Sequence, residues 1–160
     1  MRKTLATICL VVVITFLFPN FTTSHYIFKA EAPAPQRTWE DYSVVEIINY
    51  YSILYLQDPA LMQKVAWCES KYGKELFGDS GHAFSVYQFH KPTFKQWSKE
   101  LGEELDYNSY HDHIKLAVWA FSKGERYRRA WTSYVAIQNG GEYSFYSKLL
   151  KRHFTVYCKL

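Results

Sequence analysis

Apolar residues recur at helical spacing along most of the chain, so the pattern predicts a succession of amphipathic helices. Val44, Val45, Ile47, Ile48, Tyr51, Leu54 and Tyr55 outline a first helix running to about Gln57. Thr38, with Asp41 three residues on, resembles a capping box at its start. Asp58-Pro59 reads as an N-cap followed by proline at the first helical position, and Leu61, Met62, Val65, Ala66 and Cys68 continue an apolar stripe toward Gly73. Glu69 therefore falls near the end of a mostly apolar helix. Gly78-Asp79-Ser80-Gly81 marks a loop over 73–81, and 83–89 alternates imperfectly, as a short strand or an extended crossing. Pro92 reopens a helix carrying Phe94, Trp97 and Leu101, which Gly102 ends. Ile114, Leu116, Ala117, Val118, Ala120 and Phe121 predict a largely buried helix over 112–122. Further helices are expected over 126–138 and 143–154. The fold expected over 38–160 is mainly α, with at most a small β element.

Ahead of this pattern, Arg2 and Lys3 precede an unbroken apolar run over 5–18, closed by Pro19 and Asn20, which reads as an export signal. At about 14 residues the run is short for a full bilayer span. Ala30-Glu31-Ala32 offers an A-x-A-like cleavage site, but it lies farther past the run than a signal peptidase usually reaches. Residues 1–32 are thus read as a signal peptide or, uncleaved, as a membrane anchor, continued by the extended connector Ala32-Pro33-Ala34-Pro35-Gln36. Either way the domain is expected outside the cytoplasm: periplasmic, at the cell surface or secreted.

Composition narrows the class. With 48% apolar and 21% charged residues in 160, the chain suits one globular domain rather than disorder. Its 19% aromatic content suits both a small core and a sugar-lined groove. The net charge of +4 makes no case for nucleic acid. Of the three cysteines, Cys9 lies in the N-terminal run, leaving Cys68 and Cys158 as a possible disulfide pair in an oxidising compartment or as two unpaired thiols. His111 and His113 flank Asp112, but residues two apart face different sides of a helix and no third ligand follows at a zinc-like spacing. No phosphate loop is present, and no thiol-protease context surrounds Cys68; no metal or cofactor is expected.

The most informative segment is Cys68-Glu69-Ser70, followed by Gly81-His82-Ala83-Phe84-Ser85-Val86-Tyr87-Gln88-Phe89 and then Pro92-Thr93. In order and spacing it resembles the transglycosylase SLT family of lysozyme-like proteins, over about residues 60–140. There a Glu-Ser pair ends a helix, a Gly-Ala-x-Gly-Leu-x-Gln segment lies below the sugar, and Pro-x-Thr opens the next helix. The resemblance implies a lysozyme-like α+β domain that cleaves the β-1,4 glycan of peptidoglycan with one catalytic carboxylate, Glu69. Glu69 would protonate the leaving oxygen and then deprotonate the sugar's own 6-hydroxyl, leaving an anhydro-sugar end. Gln88 and Ser70 would bind the N-acetyl group, with Phe84 and Tyr87 as candidate groove rings and Tyr134 as a remnant of the third family motif.

The residues support Glu69 independently. Glycosidic cleavage needs a proton delivered to a poor leaving group, and a carboxyl in an aromatic, partly dry cleft has its pKa raised enough to hold one. Glu69 lies between Trp67 and Tyr72, with Lys64 as the one other charge in the run before it. Asp79 and Glu75 are assigned to solvated turns. Two departures stand against the family pattern. Ser85 replaces a glycine, which is tolerable if its φ is negative, and Ala136-Ile137-Gln138-Asn139-Gly140 is a degenerate third motif. The alternative from another class is therefore a catalytically inactive peptidoglycan-binding or wall-assembly module with the same fold.

Overall fold

The computed structural model describes residues 38–147 and 151–158, so the expected signal or anchor, its cleavage site and the connector lie outside the described residues. The order of elements is α1 (Val44–Leu54), α2 (Pro59–Ser70), β1 (Phe77–Gly78), β2 (Ala83–Phe84), β3 (Phe89–His90), α3 (Lys91–Leu101), α4 (Tyr110–Ser122), α5 (Glu125–Arg128), α6 (Thr132–Gln138), β4 (Glu142–Ser147) and β5 (Arg152–Tyr157). The architecture is mainly α, with a small three-stranded antiparallel sheet β1-β2-β3 and a separate hairpin β4-β5. Among the described residues no helix is long and apolar enough to cross a membrane.

Local chemistry sets the helix ends. Thr38 does donate its N–H to the Asp41 carboxylate at 2.8 Å, yet this caps only a 3-10 turn, Trp39–Asp41. The helix itself starts after Ser43, whose Oγ accepts from Glu46 N while Ser43 N donates back to Glu46 Oε2. It ends at Leu54, short of Gln57, since Leu56 takes a left-handed φ of 54°. Asp58 and Pro59 open α2 as their types require, and Lys71 and Tyr72, both left-handed, close it. Gly102, at φ 84°, closes α3.

α4 is the axis of the core. His113, Ile114 and the run from Leu116 to Phe121 are buried around most of its circumference, and α1, α3 and α5 pack against it. Met62, Val65 and Ala66 of α2 and Tyr87, Phe94 and Trp131 complete one continuous cluster.

Two expected helices are corrected. The stretch 126–138 breaks into α5 and α6, because the chain turns at Arg129 and Trp131 adopts extended backbone at φ −97°, ψ 115°. The described residues of the stretch 143–154 are not helical. They lie in two antiparallel strands that pair Tyr143 with Val156 and Phe145 with Phe154. Tyr143, Phe145, Phe154 and Val156 share one half-buried face while their neighbours are exposed, the period of two that a strand requires.

Candidate active site

Glu69 occupies the last turn of α2, one residue before the helix closes. Cys68 beside it is disulfide-bonded to Cys158, with Cα atoms 5.6 Å apart across a separation of 90 residues. Cys158 N also donates to Gly141 O at 2.8 Å. The bridge therefore ties the end of the β4-β5 hairpin to the helix that carries Glu69.

The hairpin so placed forms one wall of a cavity of about 590 Å³ into which Glu69 faces. Phe145 and Phe154 line that wall, stacked with ring centroids 5.7 Å apart. Phe89, Trp97 and Trp131 also line the cavity, edge to face with one another at 5.4–5.7 Å. Trp131 is fixed by its indole N–H, which donates to Tyr87 O at 2.8 Å. Trp67 and Tyr72, the sequence neighbours expected to dry the site, pack on each other instead; the aromatic lining comes from distant segments.

The Glu69 carboxylate accepts a hydrogen bond from Ser133 Oγ and another from the Ser133 backbone N–H. Burial raises the Glu69 pKa above the ordinary carboxylate range, and the two Ser133 donors partly oppose it by stabilising the charged form. A carboxyl held in this way retains a proton longer than a surface glutamate and is pointed by a fixed partner, as a general acid needs.

The other expected residues have distinct places. Gln88 lines the cavity, but its Nε2 is committed to the carbonyls of Glu75, Leu76 and Ser85 at 2.8–3.3 Å, so it shapes the small sheet; Oε1 is buried with no partner. Gly78 is required there, since a Cβ would collide with that Oε1. Ser70 is fully buried, donates to Val86 O at 2.7 Å and accepts from Gly73 N at 2.8 Å, clasping the helix end to the following loop. Tyr87 lies in the core with its hydroxyl donating to Met62 O at 3.0 Å, not in the groove. Phe84 packs among Phe77, Tyr107 and His113 behind the sheet, and Tyr134 is buried on Phe121 with its hydroxyl on Glu125. None of these four side chains lines the cavity. Ser85 stands at φ 74°, the opposite sign from the one that would suit it, so it holds a glycine-like conformation at a cost in strain.

No family model matches the chain, and no curated protein or solved structure matches it either. The site is therefore read from its own chemistry. Asp79, assigned from sequence to a solvated turn, lines the same cavity as Glu69 and lies 3.1 Å from His90 Nε2, itself a lining residue. Glu75 does not line it. His111 and His113 take separate partners, as their spacing requires. His111 bridges Tyr51 Oη at 2.5 Å and Asp112 at 2.8 Å, while His113 is fully buried with Nε2 on Tyr107 O at 2.6 Å.

Sequence reasoning missed Ser133 and the hairpin aromatics, while Asp79 does occupy a solvated turn, 63% exposed, whose edge is also the cavity lining. The only local signal for the hairpin aromatics was the alternation of Tyr143 and Phe145, and of Phe154 and Val156, which fits a strand better than a helix.

Proposed function

We propose that this chain is an exported, lysozyme-like enzyme that cleaves the β-1,4 glycosidic bonds of peptidoglycan, with Glu69 as the proton-transferring carboxyl. The observation that carries the reading is Glu69 itself: a carboxyl with a raised pKa, fixed by Ser133, facing an aromatic-walled cavity. Aromatic faces suit the apolar faces of sugar rings, and their dryness favours the neutral acid.

In the single-glutamate route, Glu69 donates its proton to the bridging oxygen as the bond from that oxygen to the anomeric carbon breaks. The resulting carboxylate, now stabilised by the Ser133 donors, takes the proton of the same sugar's 6-hydroxyl while that oxygen bonds to the anomeric carbon. One bond to the anomeric carbon replaces another, the proton returns to Glu69, and no water is consumed. The substrate's acetamido group can assist where a second carboxylate is not used.

A second reading, hydrolysis, is favoured by one observation, Asp79 among the residues that line the same cavity. Asp79 would then take the proton of a water attacking the anomeric carbon. Incubating the protein with purified peptidoglycan and weighing the released muropeptides by mass spectrometry separates the two. Products ending in anhydro-sugars support the single-glutamate route. Products heavier by one water, with reducing ends, replace it with hydrolysis, and no released glycan removes both.

A further inference from the structure

α1 buries Ile47, Ile48, Tyr51 and Ser52 against the core, so at 100° per residue Tyr50 and Ile53 fall on its opposite face and Leu54 on the flank between Tyr50 and Ile47. That face is apolar over its C-terminal half, beyond Glu46, which shares it and is exposed. Tyr50 is 50% exposed, Ile53 70%, Leu54 55%, and Leu56 just past the helix 90%. Trp39 extends the patch, packing its ring 5.2 Å from Tyr50 and 4.2 Å from His111, whose neighbour Tyr110 is also exposed. Six of the nine large exposed apolar residues among those described belong to this one end of the domain. Isolated exposed apolar residues need no explanation, but a contiguous group of this kind marks a contact surface.

The composition and position of the patch select its occupant. Trp and Tyr with neighbouring aliphatic residues suit the boundary between lipid headgroups and acyl chains, where a ring is half wet and half apolar. The described chain begins at Thr38, within the patch, and the apolar run over 5–18 lies on its N-terminal side. The 19 residues between the run and Thr38 span at most about 70 Å even fully extended. A run that inserts in the membrane therefore tethers the domain within that reach of the bilayer.

We propose that the patch formed by Trp39, Tyr50, Ile53, Leu54, Leu56 and Tyr110 docks the domain on the lipid surface that holds its own N-terminal run. Docking orients the domain, so the Glu69 cavity meets glycan strands from a fixed direction. The proposal rests on the reading of residues 1–32 as a membrane anchor, and it is independent of the glycosidase reading.

The test uses the full chain in vesicles of phosphatidylethanolamine and phosphatidylglycerol, with and without acyl-chain-brominated lipid, reading tryptophan emission. Of the five tryptophans Trp97, Trp119 and Trp131 are buried and Trp67 is half-buried against Tyr72 and Lys71, which leaves the exposed Trp39 as the ring best placed to meet lipid. Brominated lipid should quench the emission, and Trp39→Phe should remove most of that quenching. Ile53→Asp with Leu56→Asp should weaken it while circular dichroism stays unchanged. A chain that floats with the vesicles but shows no Trp39 quenching overturns the docking and leaves the anchor standing; this is also the result if a second copy or the chain's own apolar run covers the patch. Quenching that persists unchanged in Trp39→Phe overturns it as well, and a chain that fails to float overturns both docking and anchor.

Discussion

Ser133 holds the Glu69 carboxylate through both its hydroxyl and its backbone N–H, across a sequence separation of 64 residues. Both donors favour the ionised form, so removing the hydroxyl should raise the Glu69 pKa further. If the protonated acid is the working form, Ser133→Ala moves the alkaline limb of the pH profile of kcat/KM to higher pH. The peak rate should fall by roughly tenfold to 100-fold as the carboxyl loses its orientation. A pH titration of glycan cleavage checks this. A lower rate with an unmoved limb would make Ser133 a packing residue only.

His113 predicts how stability depends on pH. Its ring is enclosed by Phe94, Phe89 and Tyr107, and burial lowers its pKa from 6.5 to about 4. Between those values the unfolded chain binds a proton that the folded chain does not. Stability from this group is thus fully present above pH 6.5 and is lost as the pH falls toward 4. Denaturant midpoints should drop through that window, and His113→Gln should flatten the drop. An equally steep drop in the variant would assign it to other groups.

The Cys68–Cys158 bridge closes a 90-residue loop, for which chain entropy gives about 4–5 kcal/mol of stabilisation. Cys158→Ser should lower the melting temperature clearly, and it should also cost activity, because Phe145 and Phe154 lose their tie to the Glu69 helix. Melting curves with and without reductant check the first part. An unchanged melting temperature after full reduction would show that the hairpin needs no staple.

Ser85 holds φ 74°, and its buried hydroxyl has no partner. Ser85→Gly removes both penalties and should stabilise the protein by roughly 1 kcal/mol despite the looser unfolded chain. Chemical denaturation measures it, and a less stable variant would contradict the strain.

The helical part of this fold is legible because it rests on local signals. Asp58 with Pro59 and Gly102 write their helix ends into adjacent residues, and the burial of α4 follows from an almost unbroken apolar run. The expected start of α1 at Thr38 and Asp41 is displaced because Ser43 with Glu46 repeats the same box farther along. The 143–154 region misled because its aromatic residues fit helical spacing as well as alternation, and a hairpin is stabilised by cross-strand pairs such as Phe145 with Phe154 that no local window contains. The position of Glu69 in the last turn of α2 was legible from the helical stripe before it, whereas its partner Ser133 was not, since nothing near Trp131-Thr132-Ser133 announces a contact with α2. Phe84 and Tyr87, expected as groove rings, and Tyr134, expected at the substrate, all pack away from the cavity, because ring type alone does not separate a core aromatic residue from a binding one.

The central claim is that Glu69 moves the proton, and Glu69→Gln tests it most directly. The change keeps size and removes the transferable proton, so release of muropeptides from purified peptidoglycan should fall by at least about 100-fold, with glycan binding retained. Asp79→Asn, measured alongside, should have a far smaller effect under the single-glutamate route. Near-normal cleavage by Glu69→Gln at an unchanged melting temperature would contradict the account.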